Sequence, residues 1–336
     1  MNYRDLSEAK RAEIDLLDRY SSVLRAFEAN LPWYGTKDLL QYVAVGVLTV
    51  EGTGEEIAKG VHDLEESFSN ALPWYRKSNI AGLVRLGLSA SLYSAGIGAS
   101  EFLEAHQAAQ DFAGSHKRSM KGVFGMLATF ILCLQREDAV IERAQVDRLF
   151  EIYREMKKYH WWLTGSDDLP ACAALVPLPG TAEEVGASTE AMFTGLKSKA
   201  GFKTSEALQQ AANFLCLTRL PPEEACDRAH QIAEALRERG CSVGKSEYEE
   251  VSILCGIPIS VDKIADHVFD FYEHLPNQSW WTSKTKRFDT ASSIAIVSML
   301  KTEELAGLAD LKALLALQGI IAAQQAAAAA AAAAAG

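Results

Sequence analysis

The chain has 336 residues, nearly half of them apolar, and a formal net charge of −11 at pH 7. Such a length supplies a large core, and the acidic balance excludes the strongly basic face on which nucleic-acid binding rests. The six cysteines include no Cys-x-x-Cys pair and no His at ligand spacing, so neither a metal site nor a disulfide framework is expected; they read as small buried hydrophobes of a reducing cytoplasm.

The opening residues Met1–Glu8 are polar and acidic, unlike a signal peptide. Leu17, Tyr20, Leu24, Phe27 and Leu31 then mark one stripe of an amphipathic helix. Pro32-Trp33-Tyr34 follows, and 41 residues after Trp33 comes Pro73-Trp74-Tyr75. Trp161-Trp162 begins 87 residues beyond Trp74, and Trp280-Trp281 begins 119 beyond Trp161, close to two and three further steps. His116-Lys117, Gly201-Phe202 and Gly240-Cys241 fall at the skipped registers. Recurrence at a fixed period is the mark of a repeated structural unit.

A short polar loop and an apolar helix follow the signatures, as in Asp167–Val176, Ser205–Leu217, Ser246–Gly256 and Asp289–Leu300. Helices apolar nearly all round must be covered on most sides, so these form an inner set. Between them lie longer helices with one stripe, such as Val146, Leu149, Phe150, Tyr153 and Met156, or Ile264, Val268, Phe271 and Leu275. These form an outer set. Pro179-Gly180, Pro221-Pro222, Gly240 and Pro258 mark the joins. Alternation of period two is nearly absent, and no run is long and apolar enough to span a membrane. The expectation is an all-α chain of about seven inner/outer hairpins of roughly 41 residues, closed as an α/α toroid or superhelix, with an open α-solenoid as the alternative. One repeat domain covers residues 1–318, and 319–336 form an Ala-rich tail.

The segment Tyr153-Arg154-Glu155-Met156-Lys157-Lys158-Tyr159-His160-Trp161-Trp162-Leu163-Thr164-Gly165-Ser166-Asp167-Asp168 resembles the central signature of a bacterial family of unknown function, whose members are helical and of about this length. Trp74-Tyr75-Arg76, Leu208-Gln209-Gln210 and Gly244-Lys245 are similar to that family as well. The resemblance implies a cytoplasmic helical unit. It lends no activity, cofactor or catalytic residue.

Every signature loop precedes an inner helix, so equivalent loops collect on one rim. That rim would gather Trp33, Trp74, Arg76, Trp161, Trp162, Thr164, Lys203, Trp280, Trp281, Lys284 and Arg287 as ligand-binding residues. Aromatic faces, cations and helix N-termini together suit an elongated or anionic ligand. The competing reading is that one aromatic per unit staples the hairpins together. Asp167 and Asp168, with His160, form the densest polar cluster and are the candidate catalytic residues, because paired carboxylates do acid–base work when their environments differ. Helix capping is the plainer account of the same pair. No cofactor motif is present, and Gly240–Ser246 is one residue short of a phosphate-binding loop. Two functions therefore stand: a small-molecule or oligomer-binding protein with possible turnover, or a non-catalytic scaffold for a peptide or protein partner. Nucleic acid and membrane are not expected as partners.

Overall fold

The computed structural model describes residues 8–30, 37–72, 82–136, 138–159, 165–275 and 284–300. Among them are fourteen α-helices and no strand. In chain order these are α1 (Glu8–Ala29), α2 (Lys37–Gly46), α3 (Gly54–Ala71), α4 (Gly82–Ala95), α5 (Ala99–Gly114), α6 (Gly122–Leu134) and α7 (Arg143–Tyr159). There follow α8 (Leu169–Leu175), α9 (Ala182–Lys199), α10 (Glu206–Cys216), α11 (Pro222–Glu238), α12 (Tyr248–Cys255), α13 (Val261–His274) and α14 (Lys284–Leu300). Single 3-10 turns, Ser166–Asp168 and Lys245–Glu247, lead into α8 and α12.

Burial separates the helices by parity. Every residue of α8 is buried, as are Gly125–Cys133 of α6, Leu208–Cys216 of α10 and all of α12 except Glu249. The odd-numbered helices bury one stripe and leave the rest to solvent. On α7 that stripe is Val146, Leu149, Phe150, Ile152, Tyr153 and Met156, and on α13 it runs through Ile264, Val268 and Phe271 to Leu275 just beyond. The stripe expected for α1 is met at Tyr20 and Phe27, whereas Leu16 and Val23 take the covered places expected of Leu17 and Leu24, which are half-buried on the flank; Leu31 lies outside the described residues. Spacings of four, three and four keep Leu16, Tyr20, Val23 and Phe27 on one line, which the set starting at Leu17 does less well.

The chain folds as two compact units, one comprising Met1–Ser100 and His267–Gly336, the other Glu101–Asp266. In the second unit, α6, α8, α10 and α12 lie side by side as an inner layer, and α7, α9 and α11 as an outer layer. Each outer helix packs on the inner helix that follows it. In the first unit, α1 packs on α3, α2 on α4, α1 on α2 and α3 on α4; α14 packs on both α1 and α2.

Local chemistry fixes the ends of these helices. Thr53 and Thr181 cap α3 and α9 reciprocally with Glu56 and Glu184, an arrangement that satisfies two otherwise orphaned N–H groups at once. Lys117, Gly201 and Gly240 take left-handed backbone after α5, α9 and α11, as helix C-termini commonly require. The next residues turn inward at two of these points: Phe202 and Cys241 are buried. Phe202 stacks face to face on Tyr248 at 3.8 Å, and the Tyr248 hydroxyl accepts the Lys203 N–H at 3.0 Å. At the Phe202 register the signature residue is a staple between hairpins.

One device escapes the hydrophobic pattern altogether. Arg148 on α7 donates from Nε to the Val176 carbonyl at 2.8 Å and from Nη2 to Leu178 and Gly180 at 2.7 and 3.0 Å. Arg228 on α11 does the same with Cys255, Ile257 and Ile259 at 3.1, 2.6 and 2.6 Å. Arg19 on α1 grips the carbonyls of Leu48, Val50 and Gly52. In each case a guanidinium fork on an outer helix satisfies the exposed carbonyls after the following inner helix, where the helix dipole also favours a cation.

Candidate functional site

Most buried polar side chains among the described residues belong to the inner helices or the turns that start them. Gln41, Ser89, Thr129, Asp168, Gln209, Gln210, Asn213, Glu247, Glu250, Ser252, Asp289, Thr290 and Ser292 are of this kind, against Glu65, His106 and Thr189 on outer helices. Spacing sharpens the pattern: Gln210, Glu250 and Thr290, all buried, are 40 residues apart in succession on three inner helices. An inner layer built only for packing would carry aliphatic side chains there, because a buried polar group costs free energy unless it is bonded.

Asp168 is the centre of the set in the second unit. It is only 1 % exposed. Its Oδ2 accepts the Gly165 N–H at 2.8 Å, closing the turn that starts α8. Its Oδ1 accepts from two side-chain amides on α10, Gln209 Nε2 at 2.9 Å and Gln210 Nε2 at 3.2 Å. Three donors favour the carboxylate, but burial opposes it more strongly. Burial, helped by the charges of Asp167 and Glu206, pushes the Asp168 carboxyl up to about 7 despite the bonds from Gly165 and Gln209. A carboxyl titrating near neutrality, held on three sides, is competent to take or release a proton at physiological pH.

The neighbourhood is polar as well. Asn213 lies four residues from Gln209 and three from Gln210, hence on the same face of α10, one turn further along. It is fully buried, and neither of its amide atoms has a partner. Gln210 Oε1 and the fully buried Ser252 hydroxyl on α12 are likewise without one. Glu247 repeats part of the Asp168 geometry, its Oε2 accepting the Gly244 N–H at 2.7 Å ahead of α12. In the first unit, the Tyr42 hydroxyl donates to Asp289 Oδ2 at 3.1 Å, Thr290 Oγ1 donates to Gln41 Oε1 at 3.4 Å, and Arg85 pairs with Glu65 at 3.1 Å.

Few of the residues singled out from sequence fall inside the described structure. Trp33, Trp74, Arg76, His160, Trp161, Trp162, Thr164, Trp280 and Trp281 all lie outside it, and so does the side chain of Lys284, the first residue of α14. Asp167 is half-buried beside Asp168, its carboxylate occupying the space a Cβ on Gly165 would need. Lys203 is exposed. Arg287 sits over the Tyr272 ring at 5.3 Å and donates to the carbonyls of Tyr272, Glu273 and Leu275 at 2.7 to 3.2 Å. Gln209, Gln210 and Asn213 were not among the sequence candidates. Their signal was visible nonetheless: three amides within five residues of an otherwise apolar inner helix. Among the described residues, no group of three or more His, Cys, Asp and Glu is placed to hold a metal ion, and no helix is long and apolar enough to cross a membrane. All six cysteines are buried, and none is in a disulfide.

Fold and site together define an all-helical protein with a polar, carboxylate-centred band inside its inner layer. The chain belongs to the family described as Protein of unknown function (DUF4003), which matches residues 115–326 and so includes Asp168, Gln209 and Gln210. It is 24% identical over 242 residues to "Uncharacterized protein YeaA" of Bacillus subtilis (strain 168), a match covering 70% of each chain. No solved structure matches it significantly.

Proposed function

We propose that this chain is a ligand-binding helical protein whose binding surface lies at the first turns of its inner helices, with Asp168, Gln209 and Gln210 at the centre in the second unit. The observation that carries the reading is the concentration of buried polar side chains on the inner helices, including Asn213 with both amide atoms unpartnered. Groups left unbonded in a dry core are costly, and a ligand or its water that bonds them recovers that cost. The buried Glu250, in register with Gln210 near the start of α12, extends the band within the same unit, so an elongated ligand that touches more than one first turn suits it. The tryptophan signatures, which precede inner helices in sequence, would supply stacking surface.

An architecture and a compartment go with this function. The arginine forks of α1, α7 and α11 and the regular alternation of buried and half-exposed helices support seven uses of one hairpin. Six buried thiols, none of them in a disulfide, suit a reducing cytoplasm.

The test is a thermal-shift panel of sugars, sugar phosphates, prenyl phosphates and polyamines against the wild type and Gln210→Leu. At least one compound should raise the wild-type melting temperature saturably and lose that effect in the variant. A panel with no such compound, or one whose effect survives in Gln210→Leu, overturns the reading.

A further inference from the structure

Two cations meet on one tyrosine beside the Asp168 cluster. The guanidinium of Arg118, in the loop after α5, lies 5.4 Å from the centre of the Tyr153 ring, and the Lys157 ammonium, one turn further along α7, lies 5.8 Å from it. Several other basic groups of this acidic chain meet carboxylates, as in Lys158–Glu155 and Lys199–Asp227, or helix-end carbonyls, as in the arginine forks. Arg118 and Lys157 make no ion pair among the described residues. The stretch between α7 and the Asp168 turn, residues 160–164, reads His-Trp-Trp-Leu-Thr and brings no acid to them. Tyr153 is 6 % exposed, and its hydroxyl has no hydrogen-bond partner among the described residues. Burial raises the Tyr153 phenol above its ordinary value, Arg118 opposes that shift, and Asp168, Cys172 and Asp167 add to it. The hydroxyl therefore keeps its proton and stands between Arg118 and the start of α8. The loop that carries Arg118 is tied to α7: His116 Nε2 and Asp147 Oδ1 are 2.6 Å apart, the His116 ring lies 5.2 Å from that of Phe150, and Met120 is fully buried. Arg118 itself is exposed and Lys157 half-buried, so both are open to solvent.

We propose that Arg118, the Tyr153 hydroxyl and Lys157 hold the phosphate group of a phosphomonoester whose remaining atoms lie toward Asp168, Gln209 and Gln210. The proposal rests on the ligand-binding reading above and names the ligand class. A phosphomonoester carries roughly two negative charges and three strong acceptor oxygens, which two cations and one O–H donor match. A guanidinium fork takes two of those oxygens, and an ammonium supplies a point charge. A carboxylate brings one charge and two oxygens, and leaves one of the three groups unused. A hydroxyl at the end of a buried ring is costly to leave unbonded, and a phosphate oxygen satisfies it. Asp168, titrating at about 7, meets the ester as a neutral acid on the acid side of that value.

The experiment is isothermal titration of the full chain with glucose 6-phosphate, glucuronate and inorganic phosphate at low salt and about pH 6.5, where a phosphomonoester is mostly doubly charged. The proteins are the wild type, Arg118→Gln, Tyr153→Phe and Lys121→Gln. Tyr153→Phe keeps the buried ring, and Arg118 and Lys121 are exposed on the same loop, so all three variants are expected to fold; circular dichroism and melting midpoints matching the wild type verify this. Glucose 6-phosphate should bind saturably and be displaced by inorganic phosphate. Its affinity should fall about tenfold in Arg118→Gln and several-fold in Tyr153→Phe, and stay near the wild-type value in Lys121→Gln. Affinity unchanged in Arg118→Gln and Tyr153→Phe, or lowered equally by Lys121→Gln, overturns the assignment of this site. Glucuronate binding as tightly as glucose 6-phosphate overturns the ligand class. Absence of binding by both phosphates overturns the inference alone, since the wider panel with Gln210→Leu judges the reading on which it rests.

Discussion

Asp168→Asn should abolish a pH dependence of stability that the wild type shows. The native carboxyl titrates near 7, raised from an ordinary 3.8 chiefly by burial. Between those two values the folded state holds a proton that the unfolded state has released, so folding is favoured at the acid end and stability falls as pH rises. The fall is complete above about pH 7, where both states are ionised. From pH 5 to pH 8 the loss attributable to this group is about 3 kcal/mol, taking roughly 1.4 kcal/mol per unit over the two units between pH 5 and the native value. Asn cannot ionise. Its oxygen can accept the Gly165 N–H, and its amide can face Gln209 and Gln210 once those amides rotate to present oxygen. The variant should therefore match the wild type near pH 5 and exceed it by about 1–3 kcal/mol at pH 8. Urea unfolding followed by circular dichroism at pH 5, 6, 7 and 8 reads both slopes. Glu249 on α12 is raised by burial in the same direction, so the decisive quantity is the difference between wild type and variant at each pH. Equal slopes in the two proteins would refute the account of Asp168. Asp168→Ala should be destabilised at every pH, because it strands three donors.

Further expectations bear on the scaffold. A Cβ on Gly125 would overlap the Met120 carbonyl, so Gly125→Ala should lose about 2–3 kcal/mol. Gly87 on α4 has open space at the same point, and Gly87→Ala should gain about 0.5–1 kcal/mol; denaturant midpoints compare the two directly. Arg228→Lys keeps the charge but not the fork on Cys255, Ile257 and Ile259, and should lose about 1–3 kcal/mol by the same measurement; a silent substitution would show the fork to be ornamental. Burial pushes the Cys133 and Cys255 thiols up to about 12, and every cysteine is enclosed. The native protein should thus be inert to a disulfide reagent at pH 8 and react at six thiols once denatured, as absorbance of the released thiolate reports.

Much of the fold is legible in the residues themselves. Stripes such as Val146–Met156 and all-round apolar segments such as Ala171–Leu175 separate outer from inner helices before any packing is known. The phase of α1 is not legible, because Leu16 and Leu17 offer two overlapping stripes and only packing chooses between them. Asp168 stands out as half of an acidic pair, yet Gln209 and Gln210 bond it across 41 and 42 residues. That pairing follows from α8 and α10 lying side by side, which no local pattern encodes. Arg148 and Arg228 read as solvated charges on amphipathic helices; their use as forks depends on where the next inner helix ends. Phe202 and Cys241, two residues standing at signature registers, are buried, and Phe202 staples its hairpin to the next, so the registers mark hairpin joints as well as a candidate rim.

Hydrogen exchange of the full chain, with and without a saturating compound found by the thermal-shift panel, tests most directly whether the functional surface lies at the first turns of the inner helices. The account predicts slowed exchange in residues 165–170, 206–213 and 247–252, with residues 176–180 and 216–222 at the opposite helix ends unchanged. Slowing confined to those opposite ends, or to the solvent faces of α11 and α13, would contradict it.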